Sequence, residues 1–108
     1  MSKIKKFSTK YMDNIYKAIH DTDFKNLDIS TKEILKTIKR NGSIYVCGNG
    51  GSAAIANHYV VDFLKFFREN TTLKPKIFSL SSNIETITAI SNDIDYKRVF
   101  SYQAENLL

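Results

Sequence analysis

The segment Ser43-Ile44-Tyr45-Val46-Cys47 constrains this chain more than any other. A short β-branched run bounded by glycines reads as a buried strand. It runs directly into Gly48-Asn49-Gly50-Gly51-Ser52, and a long amphipathic stretch carrying Ile55, Ala56, Tyr59, Val60, Phe63 and Phe67 follows at helical spacing. Asn70-Thr71-Thr72 breaks that helix, Pro75 bars its continuation, and Lys76-Ile77-Phe78-Ser79-Leu80 reads as a second strand. Ser81-Ser82-Asn83 caps a short helix through Ile90, Ser91-Asn92-Asp93 reads as a turn, and Tyr96 onward is helical to the last residue. Alternation of this kind implies a parallel sheet wound with helices. Such a sheet wants several strands and both faces covered, and the helix at Asn106-Leu107-Leu108 has no C-cap signal. Residues 43–108 therefore read as the first part of a larger, truncated α/β domain.

Two helices precede this unit, over residues 1–42. Met12, Ile15, Tyr16 and Ile19 lie on one face of the first, and Asp21-Thr22-Asp23 interrupts it. The second is expected to start at Ser30, which with Glu33 has the spacing of a capping box, flanked by Ile29 and Ile34 as a hydrophobic staple. Asn41-Gly42 ends it, with the glycine expected to take the left-handed turn. This segment is expected to serve oligomerisation. It also holds the whole charge excess, ten Lys/Arg against five Asp/Glu, whereas residues 43–108 hold six of each. A basic leader of this kind could touch nucleic acid or an acidic partner. The plainer reading is a solvated helical face, so nucleic acid is not expected as a partner.

A chain of 108 residues with 43% apolar and 25% charged residues is globular in composition and accommodates one domain. Its single cysteine, Cys47, excludes an internal disulfide framework and favours a reducing, cytoplasmic setting. At the end of a buried strand it is expected to pack rather than to react. No apolar run approaches the roughly 20 residues that cross a bilayer, and Met1 to Lys6 lacks the apolar stretch of a secretory signal.

The chemistry is expected in the glycine loop. Glycines between a strand and a helix let the backbone turn tightly and approach a ligand, and the helix N-terminus beyond them favours an anion, most often a phosphate. Asn49 and Ser52 add side-chain donors. The loop is neither a P-loop nor the dinucleotide fingerprint, and by shape alone it is equally a structural tight turn.

The combination of Cys-Gly-Asn-Gly-Gly-Ser-Ala-Ala, His58, Ser91-Asn92-Asp93 with Tyr96, and Val99-Phe100-Ser101 resembles the sugar isomerase (SIS) domain family. Within it the chain looks most like the phosphoheptose isomerases, which interconvert sedoheptulose 7-phosphate and glycero-manno-heptose 7-phosphate. The resemblance implies a three-layer αβα, Rossmann-like sandwich around a five-stranded parallel sheet, with a phosphosugar bound at the C-terminal ends of the strands. It also implies a homotetramer. By residue match, Asn49, Gly50, Gly51, Ser52, Asn92 and Asp93 would bind substrate. His58 matches a zinc ligand. Asp62 stands where the family carries a glutamate that is both zinc ligand and base for proton transfer through an enediol. The i, i+4 spacing of His58 and Asp62 puts both on one helical face.

The sequence departs from the family at three points. Asp62 is one methylene shorter than the family's glutamate, the serine-rich phosphate loop Ser-Thr-Ser-Gly-Asn is absent, and so are the later Gln and His of the zinc site. Plainer readings stand beside the sharp ones: His58 as a helix histidine held by hydrogen bonds, Asp62 as a carboxylate paired near Lys65, Asn92 and Asp93 as turn formers. His20 reads as a surface residue, and Phe63, Phe66 and Phe67 as core or interface. The alternative to an isomerase is a non-catalytic SIS protein that senses a phosphosugar or binds a partner, or an inactive product of a split gene.

Overall fold

The computed structural model describes residues 2–108, and its contacts divide the chain into two compact units, residues 1–33 and 34–108. The division falls within the second helix.

In the first unit, α1 (Lys3–His20) starts where the Ser2 hydroxyl accepts from the Lys5 N–H at 3.1 Å. The second helix, α2 (Phe24–Lys39), is capped by Asp23, whose carboxylate accepts from the Asn26 N–H at 3.1 Å and from its side-chain amide at 2.6 Å. The start expected at Ser30 is thus too late. Asp23 caps the helix nearly two turns earlier, and Ser30 lies in its interior, donating its hydroxyl to the Asn26 carbonyl at 2.9 Å. Residues 2–33 are exposed throughout, His20 among them.

In the second unit, α2 ends in a Schellman-type turn. Gly42 N–H donates to the Thr37 carbonyl at 2.8 Å, and Asn41 takes the left-handed conformation, φ 60°, that had been expected of Gly42. Asparagine tolerates that region better than most residues, so the turn falls one position earlier. Strand β1 (Ser43–Val46) pairs in parallel with β2 (Lys76–Ser79), Ser43 opposite Lys76 and Val46 opposite Ser79. The Leu80 N–H extends the ladder to the Val46 carbonyl at 2.8 Å.

The crossover between the strands is α3 (Gly51–Val61), a π-helical segment (Asp62–Phe67) and the short α4 (Arg68–Asn70), which follow one another without a break. Phe63, half-buried, stacks between Tyr59 and Phe67 at ring separations of 6.2 and 5.5 Å, while Phe66 is exposed. After β2, Asn83 caps α5 (Ile84–Ile90), accepting from the Thr86 N–H at 2.7 Å.

Ser91-Asn92-Asp93 is helical rather than the expected turn: Ser91–Asp95 prolongs α5 as a π-helical segment. Ser91 stays in the helix by donating its hydroxyl to the Ile87 carbonyl at 2.6 Å. The real break comes at Asp95, extended at φ −168°, which caps a 3₁₀ turn (Tyr96–Arg98) leading into α6 (Val99–Leu107). The Gln103 amide ties α6 to the end of β2 by donating to the Leu80 carbonyl at 3.0 Å.

Ile38, Ala56, Ile77, Leu80, Ile90 and Val99 are buried and form the apolar core around this βαβ unit. Cys47 is exposed, against the expectation of a packed residue. It lies just past the end of β1, where the chain leaves the sheet for the glycine loop. The described residues form a helix-rich α/β architecture with a parallel sheet of two strands.

Candidate functional site

The loop Gly48–Ser52 leaves the C-terminal end of β1 and opens α3, so it occupies the edge of the sheet where open α/β folds hold ligands. Its path rests on two glycines for different reasons. A Cβ on Gly48 would lie 2.2 Å from the Ser52 carbonyl oxygen, a backbone contact that no side chain can make. Gly50 caps α3 at φ 57°, the left-handed region that glycine enters without steric cost. Gly51, by contrast, faces open space, so the backbone there is accessible to an incoming group.

Hydrogen bonds hold the loop from two distant segments. Ser81, just past β2, accepts from the Gly48 N–H at 2.9 Å and donates to the Gly48 carbonyl at 2.8 Å, clamping both polar groups of one residue. Ser81 is in turn placed by its own N–H, which donates to the Ser79 hydroxyl at 3.1 Å, and that hydroxyl donates to Asn57 Oδ1 on α3 at 2.6 Å. From the other side, the Tyr96 hydroxyl donates to Asn49 Oδ1 at 2.6 Å, joining the loop to the 3₁₀ turn. The first turn of α3 carries no acidic residue, leaving its positive dipole end unopposed by the helix's own side chains.

Asn49, Gly50, Gly51 and Ser52 are all exposed. Ser52 shares an open groove of about 310 Å³ with Val46, Cys47, Ile55, Ala56 and Tyr59. A second groove of about 420 Å³, lined by Ala54, Ile55, His58, Tyr59 and Asp62, shares Ile55 and Tyr59 with the first. The candidate residues from Ser52 to Asp62 thus line one side of α3 and the start of the π-helical segment that continues it. Asn92 and Asp93 are exposed and bond each other, the Asn92 amide donating to the Asp93 carboxylate at 2.9 Å. The Tyr96–Asn49 bond ties their part of the chain to the loop.

His58 and Asp62 come together as their spacing requires, Nε2 to Oδ1 at 3.4 Å, and both are more than half exposed. Two donors do not fit a resident zinc ion, which takes four ligands in a structural site and three from protein in a catalytic one. Among the described residues no group of three or more His, Cys, Asp or Glu is placed to hold a metal. Ser81 and Tyr96 hold the loop, whereas the sequence assigns Ser81 only to a helix cap and Tyr96 only to the motif. The only sequence signal for Ser81 is a hydroxyl residue directly after a strand.

A profile of the SIS domain family matches residues 9–107. The chain belongs to the SIS domain family. Among curated relatives, this SIS domain is 42% identical over 76 residues to the phosphoheptose isomerase of Roseiflexus sp., covering 70% of this chain and 38% of that one. It is 36% identical over 97 residues to the phosphoheptose isomerase of Aliarcobacter butzleri, covering 90% of this chain and 50% of the relative. Among solved structures, phosphoheptose isomerase from Neisseria gonorrhoeae superposes with a TM-score of 0.75 at 25% identity, over 98% of this SIS domain and 55% of that chain. The Francisella tularensis enzyme shares the fold, with a TM-score of 0.78 at 24% identity over 95% of this chain and 55% of its own. The chain therefore spans about a third to a half of the length of these curated relatives and just over half of each solved chain.

Proposed function

We propose that this SIS domain binds a phosphorylated sugar at Gly48–Ser52, as part of a protein of the phosphoheptose isomerase type that acts on sedoheptulose 7-phosphate. The observation that carries the reading is the loop itself. It lies at the C-terminal end of β1, opens α3 through a left-handed Gly50 and exposes Gly51, which is a cradle for a phosphate or a sugar oxygen. The likeness to curated phosphoheptose isomerases supports a heptose phosphate as that sugar.

In this reading Asn49 and Ser52 donate to the ligand, Gly50 and Gly51 let it approach the backbone, and Asn92 and Asp93 close on it from the segment that Tyr96 joins to the loop. Isomerisation of an aldose to a ketose moves a proton between C1 and C2 through an enediol, and Asp62 is the carboxylate assigned to that transfer. His58, with Nε2 3.4 Å from it, would orient and polarise that carboxylate. As a zinc site, His58 and Asp62 would supply two donors and the rest would have to come from elsewhere in an assembly, so no step is assigned to a metal.

Association between copies belongs to the same proposal, four copies by resemblance, through α1 with its exposed Ile4, Phe7, Tyr11, Ile15 and Ile19. No helix among the described residues is long and apolar enough to cross a membrane. A reducing, cytoplasmic setting suits the free, exposed Cys47.

Calorimetric titration with sedoheptulose 7-phosphate tests the binding, and NMR of the same mixture, with and without zinc, tests turnover. Saturable heat is the expected result. Its absence at millimolar ligand would overturn the reading, while heat without turnover would retain the binding and remove Asp62 from catalysis in this chain.

A further inference from the structure

We propose that Tyr96 is a positioning residue, which fixes the face that the Asn49 side-chain amide turns toward the ligand. An asparagine amide has an acceptor oxygen on one side and two donor hydrogens on the other. Turned one way it welcomes an oxygen-rich anion, and turned the other it opposes one. Asn49 is exposed and sits on a loop, so nothing in its own backbone decides between the two.

The Tyr96 hydroxyl decides it. At 2.6 Å it donates to Asn49 Oδ1 across 47 residues of chain. With the oxygen committed to the protein, Nδ2 is left as the outward group, a donor for a phosphate or sugar oxygen. Tyr96 is itself held. It opens the 3₁₀ turn that Asp95 caps by accepting from the Lys97 N–H at 2.9 Å, and this turn leads into α6, which Gln103 fastens to the end of β2. Tyr96 is 55% exposed, so its hydroxyl contributes orientation rather than core packing. On the opposite side Ser81 clamps Gly48 by both its polar groups, so the residue before Asn49 is fixed too. The loop is thus anchored in its backbone from one side and in its amide orientation from the other.

The inference deepens the phosphosugar reading and rests on it for the ligand, though not for the hydrogen bond. Its test is a double-mutant cycle of Tyr96→Phe and Asn49→Ala, read by calorimetry with sedoheptulose 7-phosphate. Tyr96→Phe is expected to weaken binding about fivefold, the scale of one neutral hydrogen bond, with the melting temperature unchanged. In the Asn49→Ala background it is expected to add nothing. Asn49→Asp, which keeps an acceptor for Tyr96 but offers the ligand a carboxylate, is expected to weaken binding further than Tyr96→Phe does. Equal losses from Tyr96→Phe in both backgrounds, or none in either, would overturn the proposal. The Asn49 side-chain amide resonances of the ligand-free protein separate this from the wider reading. If they move toward free-amide positions in Tyr96→Phe, the positioning bond stands even where no sugar phosphate binds. If they do not move, it falls even where one does.

Discussion

Gly48, Gly50 and Gly51 sit within four residues of one another and face three different constraints. Replacing Gly48 by alanine drives a Cβ to 2.2 Å from the Ser52 carbonyl oxygen and 2.3 Å from its carbon, both backbone atoms that cannot swing aside. We expect Gly48→Ala to destabilise the protein by roughly 1–3 kcal/mol, measured by chemical denaturation. Gly51→Ala meets nothing within 4 Å and should leave stability within about 0.5 kcal/mol of the parent, while weakening sugar phosphate binding by crowding the approach. A Gly51→Ala protein that binds as well as the parent would place the ligand elsewhere. The glycines were legible in the sequence because no other residue so directly reports a backbone constraint. Ser81 and Tyr96 were not, since a serine or tyrosine says nothing of a partner 33 or 47 residues away until the strands are in register. His58 and Asp62 fell between these cases. Helical periodicity alone put them on one face, but it could not supply further ligands.

At the scale of elements, two of the departures from the sequence reading lie at helix boundaries where several capping patterns compete. Ser30-Thr31-Lys32-Glu33 has the spacing of a capping box, yet Asp23 caps α2 first and the helix passes through Ser30 unbroken. Asp23→Ala should therefore cost about 1 kcal/mol and Ser30→Ala almost nothing, compared by thermal melting with helicity followed by circular dichroism. The reverse order would restore the start at Ser30. The second departure, at Ser91–Asp95, reflects what the composition Ser-Asn-Asp cannot tell. These residues favour turns by bonding the local backbone, and Ser91 makes such a bond inside the helix, to Ile87. The parallel pairing, the helical crossover and the cap at Asn83 were all readable, because each rests on local periodicity or on a single end signal.

For the whole molecule, the balance of apolar surface is the governing quantity. Among the described residues the apolar core is six residues, none with a fully buried side chain, while Ile4, Phe7, Tyr16, Phe66, Ile84 and others are more than half exposed. Sedimentation velocity should show association that grows with concentration, and Phe7→Glu with Ile15→Glu on α1 should reduce it. A single monomeric species across the accessible range would remove α1 as an association surface. The sheet adds a consequence on a different axis, that of time. With two strands among the described residues, each has one side paired and one side open, and backbone N–H groups alternate between them along the chain. The Leu80 N–H points into the ladder, so by the same two-residue alternation Phe78 does as well, while Ile77 and Ser79 point outward. Deuterium should therefore enter the amides of β2 in a fast–slow–fast rhythm, slowest at Phe78 and Leu80. If a further strand came to lie along the open side of β2, the fast positions would slow and the rhythm would disappear, so the exchange profile of eight strand residues reports whether the sheet has acquired a neighbour.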